Sequence, residues 1–254
     1  MTFILPTFGA GSIAHVSSGG GAAWNGNSFS LSFDGTNDHL EGSANSSINF
    51  SGNLSVSAWC RLDTKTHGGI VSVGQSSTDG STLPGMFHVH TSPTKLQFYD
   101  SSGTLTKTSF IPTVNQWFHI LVSVQSGVTS GSFIYINGAA DKSNLTRTIT
   151  ADTGTVKLFI GKKSYNNTYV DGFIDEVAIF NSALSATDAA NIYNSGVPND
   201  IGATGLNLSP VGWWRMGDND GGTGTTITDQ GSGGNNVSLI NTDGSGPTFS
   251  STVP

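Results

Sequence analysis

The residues with chemistry to offer are few and mostly acidic. The segment FIDEV at 173–177 sets Asp175 beside Glu176, and the only other glutamate is Glu41. Hydrolysis of a glycosidic bond needs two carboxyl groups flanking it, one protonating the leaving oxygen and one serving as nucleophile or base. Neighbours in a strand point to opposite faces, so Asp175 and Glu176 offer one acid to each face. His88 and His90 of MFHVH share a face at i and i+2; with His67 or His119 they could hold a transition metal. No carboxylate close in sequence completes that set, and polar strand residues turned outward are the plainer reading. DNDGGTGTTITD, with Asp218, Asn219, Asp220 and Asp229, has the oxygen content of a calcium loop but lacks its terminal bidentate glutamate, and reads as a glycine-rich turn. No GxSxG elbow, P-loop or HExxH helix occurs. The chain is expected not to be an enzyme.

The elements that must position these residues are strands. A hydrophobic fraction of 35%, charged residues at 11% and Gly 34 in 254 residues describe short strands joined by tight turns, with one face buried. LSVSAWCRL alternates Leu54, Val56, Ala58, Cys60 and Leu62 against Ser55, Ser57, Trp59 and Arg61. Cys60 is the only cysteine, so no intrachain disulfide can form, and its place on the apolar side makes it a small core residue. Further strands are predicted at GIVSVG, MFHVH, KLQFYD, WFHILVSVQ, GSFIYING, VKLFIG and GFIDEVAIF, with Asn137-Gly138 suited to a hairpin turn. SALSATDAANIYNSG breaks the pattern with a single helix: Ser185 caps it, Asp188 complements its dipole, Ala189, Ile192 and Tyr193 form its apolar stripe, and Gly196 ends it. The class is an all-β sandwich or jelly roll.

The net charge of -7, with Lys+Arg 10 scattered along the chain, gives no footprint for a nucleic acid, and no apolar run is long enough for a membrane helix. MTFILPTFGAG lacks the basic and apolar regions of a signal peptide, although the Ser/Thr/Asn/Gly-rich composition is that of a surface or extracellular module. Residues 1–27 read as a flexible arm with apolar anchors at Phe3, Ile4 and Leu5, and the C-terminal SGPTFSSTVP as extended and exposed.

The order FDGTNDHLEG, LSVSAWCRL, NQWFHILVSV, FIYINGAA and GFIDEVAIFNSALS resembles the laminin G-like jelly rolls of the concanavalin A-like lectin/glucanase superfamily over about residues 28–196. The resemblance implies a concanavalin A-like two-sheet jelly-roll sandwich whose helix follows a late IDEV strand. Glycanases of that superfamily carry two glutamates separated by an aspartate on one strand, a device FIDEV lacks. Related folds hold a structural calcium between an early turn and a late strand, which here implicates Asp34, Asp38 and Asp175; the alternative is that Asp34 and Asp38 only cap turns. Lectins of this fold carry aromatic groups in loops at one rim, which points to Tyr165, Asn166, Asn167, Tyr169 and Asp171 as ligand-binding residues, the alternative being an ordinary polar loop.

The tail GWWRMGDNDGGTGTTITDQGSGGNNVSLIN resembles the segment that opens such domains, yet here it follows the domain. Residues 28–254 are therefore expected to form one jelly roll in which 211–240 fold back as a permuted strand segment, in preference to pairing with a neighbouring copy. The tail and the FDG and IDEV motifs also resemble structural proteins of tailed phages from marine bacteria. That resemblance implies a virion protein, a capsid decoration protein or a head or tail fibre component. It would be a homo-oligomer at the particle surface, with the major capsid protein or other virion proteins as partners. The alternative is a calcium-dependent glycan-binding adhesion module for host surface glycans.

Overall fold

The computed structural model describes residues 26–75, 86–240 and 246–254. All but the last two residues of the predicted N-terminal arm lie outside them. The strands in chain order are β1 (Ser30–Asp34), β2 (His39–Ser43), β3 (Leu54–Leu62), β4 (Gly68–Gln75), β5 (Phe87–Thr91), β6 (Leu96–Tyr99), β7 (Leu105–Lys107) and β8 (Trp117–Val124). There follow β9 (Ser132–Ile136), β10 (Ala139–Leu145), β11 (Val156–Ile160), β12 (Asp171–Phe180), helix α1 (Ala186–Tyr193), β13 (Gly212–Trp214), β14 (Thr226–Ile227), β15 (Val237–Ile240) and β16 (Thr248–Ser250).

They form two antiparallel sheets of eight strands. The first runs β10-β9-β8-β3-β12-β1-β16, with β13 also paired to β12, and the second runs β14-β15-β2-β11-β4-β5-β6-β7. Alternate residues of each sheet meet in one core: Leu54, Val56, Ala58, Cys60 and Leu62 from β3 face Val71 and Val73 from β4 and Phe87 and Val89 from β5. Burial holds the Cys60 thiol well above its ordinary range, so it packs as a small apolar group. The two-sheet jelly roll and the one α-helix among the described residues are those the sequence predicts.

A second, smaller core lies on the outer side of the first sheet. Ser185 Oγ accepts from the Asp188 amide and the Asp188 carboxylate accepts from the Ser185 amide, closing a capping box that starts α1. The helix ends at Asn194, whose backbone is left-handed, two residues before the predicted Gly196. Ala189 and Ile192 pack onto Leu121, Tyr135, Ala178 and Phe180, joined by Ile201 and Trp213. The outer face of the first sheet around Leu121, Tyr135, Ala178 and Phe180 is thus covered by α1 and the chain that follows it.

Residues 211–240 supply β13 against β12 and β15 against β2, and β14 extends that edge. The C-terminal end, expected to be exposed, is instead the strand β16 on β1: Phe249 is half-buried against the core, and Ser30 Oγ donates to the Thr252 carbonyl at 2.7 Å. A backbone edge left on β1 would otherwise have needed water or another chain.

Candidate functional site

β12 is not the regular strand its alternation suggests. Its register on β3 slips between Asp175 and Ala178, and Glu176 takes a left-handed backbone with φ 45°. This bulge inserts one residue, so Ile174 and Val177 face the core while Asp175 stays on the outer side. Glu176 also turns to that side, where it lines a cavity with Ser57, Trp59 and Ile192. The expectation that the acidic pair straddles the sheet is therefore corrected: both acids lie on one side, beneath the tail.

There Asp175, Glu176 and Asp218 bring carboxylate oxygens within 4.8 Å of one another. Their partners come from the chain itself. Arg215 Nε donates to Glu176 Oε1 at 3.0 Å and its Nη2 lies 3.5 Å from Asp218 Oδ2; the Trp213 indole donates to Glu176 Oε2 at 2.6 Å. Asn27 Nδ2 donates to Asp175 at 2.9 Å, and the Ser28 amide to Asp218 at 2.7 Å. Burial drives the Asp175 carboxyl well above the usual range, reinforced by Glu176; burial raises Glu176 to about 7 against the opposing pull of Arg215. The guanidinium occupies the place a cation would take. Neither acid is open to a substrate: Asp175 is 0% and Glu176 6% exposed, and the cavity beside Glu176 measures about 10 Å³, room for a single water.

The calcium set Asp34, Asp38 and Asp175 does not assemble. Asp34 pairs with Asp171 across β1 and β12, which leaves Asp175 four positions further along β12. Asp34 Oδ1 accepts from the Thr36, Asn37 and Asp38 amides, and Asp38 Oδ2 from the Asp34 amide, so these two acids cap the turn between β1 and β2. Asp229 likewise braces the tail, accepting from the Trp213, Gly231 and Asn235 amides.

On the outer face of the second sheet, the strand registers align Glu41, Phe159, Ser72, His88 and Tyr99 in a row across five strands. The segment 161–170 folds down over this row and bridges its own ends at Lys162 and Tyr169. Two glycines make that contact possible. A β-carbon on Gly69 would stand 2.2 Å from the Lys162 carbonyl carbon, and one on Gly68 would stand 2.5 Å from the Tyr169 oxygen. Ser72 Oγ donates to the Lys162 carbonyl at 3.2 Å and fastens the loop from below.

The loop carries rings and charges over the sheet. Tyr165 meets His88 edge-on at 4.9 Å between centroids, and Lys163 Nζ sits 5.8 Å from the Tyr165 ring. Tyr169 packs on His39 at 5.8 Å, with Lys162 Nζ over Tyr169 and Phe159. His90 stacks on Tyr99 at 5.5 Å. Burial lowers Lys163 to about 8; burial, with Lys163 close by, lowers His90 to about 3. Burial and the neighbouring His90 hold His88 well below its ordinary value too.

Of the predicted ligand-binding residues, Tyr165, Asn166, Asn167 and Tyr169 lie together on this loop. Asn166 Oδ1 accepts from Thr168 Oγ1 at 2.7 Å and shapes the turn, and Asn167 is exposed. Asp171 does not join them: it accepts from Thr64 Oγ1 at 2.6 Å beside the β1–β2 turn. Nor can His119 complete a metal set with His88 and His90. It stands on the first sheet, 2.8 Å from Ser57 Oγ, and burial lowers it to about 3. The sequence reading missed Lys162, Lys163 and the seating role of Gly68-Gly69; the glycine doublet opening an otherwise regular strand was the available signal.

A family model of the concanavalin A-like lectin/glucanases superfamily matches residues 34–190. The chain belongs to this superfamily. No curated protein matches it in sequence. Among solved structures it is similar to a candidate carbohydrate-binding protein from Bacteroides ovatus, at TM-score 0.61 and 15% identity, over 89% of this chain and 60% of that one. It is also similar to the native heptameric SAP-like pentraxin from Limulus polyphemus, at TM-score 0.50 and 16% identity, over 66% of this chain and 82% of the other. At these identities the likeness is one of fold.

Proposed function

We propose that the chain is a non-catalytic binding module that takes a saccharide on the outer face of its second sheet. The observation that carries this reading is the 161–170 loop, seated on Gly68-Gly69, which holds the half-buried rings of Tyr165 and Tyr169 beside buried polar groups. A sugar ring presents one apolar face and a rim of hydroxyls, and aromatic rings flanked by donors meet both needs. The superfamily includes lectins, and the Bacteroides ovatus relative is described as a candidate carbohydrate-binding protein, which supports the same choice. A glycan array probed with the purified chain tests it. Saturable binding that Tyr165→Ala reduces, with near-ultraviolet circular dichroism unchanged, is the expected result; a blank array refutes it.

We further propose that the module is displayed outside a virus particle, as a capsid decoration protein or fibre component held to the major capsid protein or other virion proteins. The support is the resemblance of the FDG, IDEV and GWWRMGDND segments to tailed-phage structural proteins, with the Ser/Thr/Asn-rich composition of a displayed surface. Repetition over a lattice would let modest contacts sum to firm attachment and avid saccharide capture. Immunogold electron microscopy of filtered lysate from the source culture tests the setting. Gold over capsids supports decoration and gold at a vertex or tail a fibre, whereas bare particles beside labelled cell envelopes refute the viral setting and leave the binding module intact.

A further inference from the structure

Buried hydrogen-bonding groups in folded proteins almost always have partners, and each one left without costs about 1–3 kcal/mol. On the outer face of the second sheet several such groups gather without partners among the described residues. Both ring nitrogens of His88 lack one, as do His90 Nε2 and Ser164 Oγ, and the three residues are at most 1% exposed. One of them lies against the loop: the Tyr165 ring touches His88, Ser164 precedes Tyr165 in the chain, and Lys163 lies over that ring. Lys163 is itself only 5% exposed, and no carboxylate pairs with it among the described residues. Lys157, by contrast, pairs with Glu41 on the same sheet.

An ammonium without a counter-ion on a largely buried lysine, beside the one N–H of neutral His88 and the Ser164 hydroxyl, calls for an acceptor carrying negative charge; His90, whose Nδ1 faces the Thr91 carbonyl, has no donor left to offer. A metal cation would be repelled by the ammonium, and a neutral sugar would leave it unpaired. We propose, building on the saccharide reading above, that the seam between β5 and the 161–170 loop, at the half-buried Tyr165, takes the anionic group of an acidic saccharide. The group is a sulfate ester or a carboxylate, with Lys163 as its counter-ion and, once the half-buried Tyr165 ring that covers them turns aside, the His88 N–H and the Ser164 hydroxyl as donors. Tyr165 stacks on the ring that bears the anion, so one residue serves both the neutral and the charged part of the ligand. The Lys162–Lys163 peptide is held against β4 through Ser72 and Gly69, which fixes the backbone from which the Lys163 side chain extends.

The test uses the full chain and saccharides of matched backbone in neutral, uronate-bearing and sulfated forms. At least one acidic form should bind about tenfold more tightly than the neutral one, and Lys163→Met, which keeps the side-chain volume, should remove that margin. Preference for the uronate form names a carboxylate as the ligand group, preference for the sulfated form names a sulfate ester, and equal preference names charge alone. Equal binding of all three forms, unchanged in Lys163→Met, overturns the anion site while the saccharide reading stands. Should no saccharide bind, that reading fails, and sodium sulfate followed through the His88 and His90 ring resonances tests the anion site by itself. A saturable shift that Lys163→Met abolishes upholds it, and no shift, or the same shift in the variant, overturns it.

Discussion

Replacing Arg215 with Met removes the cation from the buried cluster on β12 and leaves its acids in place. Arg215 is 2% exposed and serves Glu176, Asp218, Asn219 and the Gly26 carbonyl at once. Breaking a buried ion pair from one side costs about 3–5 kcal/mol, because the remaining charge has no compensation. For a chain of this size, each kcal/mol moves the thermal midpoint by about 2–4 °C, so a fall of roughly 6–20 °C is expected at pH 8. The loss should depend on pH in a definite sense. Glu176 and Asp175 have folded-state pKa values above those of the unfolded chain, so the folded state holds more protons, and their contribution to stability is full below about pH 4 and lost as pH rises, that of Glu176 through about 7. Without Arg215 the Glu176 value rises further, so the deficit of the variant should be greatest at pH 8 and shrink towards pH 5, where the acid is protonated. Thermal melts of both proteins at several pH values measure this. A deficit below about 1 kcal/mol, or one equal at pH 5 and pH 8, would show that Arg215 is not the counter-ion the cluster depends on. Exchanging Glu176 together with Arg215 for apolar residues should recover part of the loss.

Three further outcomes are expected. Gly69→Ala should lift the 161–170 loop, since the new methyl would meet the Lys162 backbone; saccharide affinity should drop about tenfold or more in calorimetric titration, with a stability loss of about 1–3 kcal/mol. Affinity for an acidic saccharide should fall as pH rises through about 8, as Lys163 gives up its proton. His88 and His90 are neutral over that range and Tyr165 ionises above its ordinary value, Lys162 and Lys157 lie towards Glu41, and a His67→Gln background removes the exposed histidine near His90, so a flat profile from pH 7 to 9 would refute the assignment. Chelation should move the thermal midpoint by less than about 1 °C, because Asp34 and Asp38 are committed to their turn and Arg215 fills the other acidic cluster; a larger shift in differential scanning fluorimetry would point to a structural cation elsewhere.

Where local rules govern, the sequence was a reliable guide. The alternation from Leu54 to Leu62 gave β3 its core side, and Asn137-Gly138 makes the β9–β10 turn with φ of 50° and 75°. Ser185 with Asp188 placed the start of α1 to the residue. The misreadings share one cause, which is pairing at long range. A bulge at Glu176 reverses the face of a side chain without any change in hydrophobic pattern, and only the tail residues Trp213 and Arg215 reveal why the acid turns that way. Asp34 and Asp175 come from an early turn and a late strand, as the calcium reading required, but the register of β1 on β12 decides whether they meet. Four of the five proposed ligand residues are neighbours in sequence, so their loop was visible, while the histidines beneath it become part of the site only through strand order.

The placement of β13, β15 and β16 bears on how the chain reaches its native state. β15 closes on β2 and β16 on β1, so the first strands made have neighbours that are the last to be made. Sheets built from such distant pairings form slowly, because a long loop must close before any contact rewards it. Until residues 212–250 leave the ribosome, the outer edges of β1 and β2 have no partner, and an open edge will pair with another copy. Truncation within the tail should therefore show itself first as aggregation during synthesis, and overexpression at lower temperature should raise the yield of soluble protein more than any change at the saccharide face.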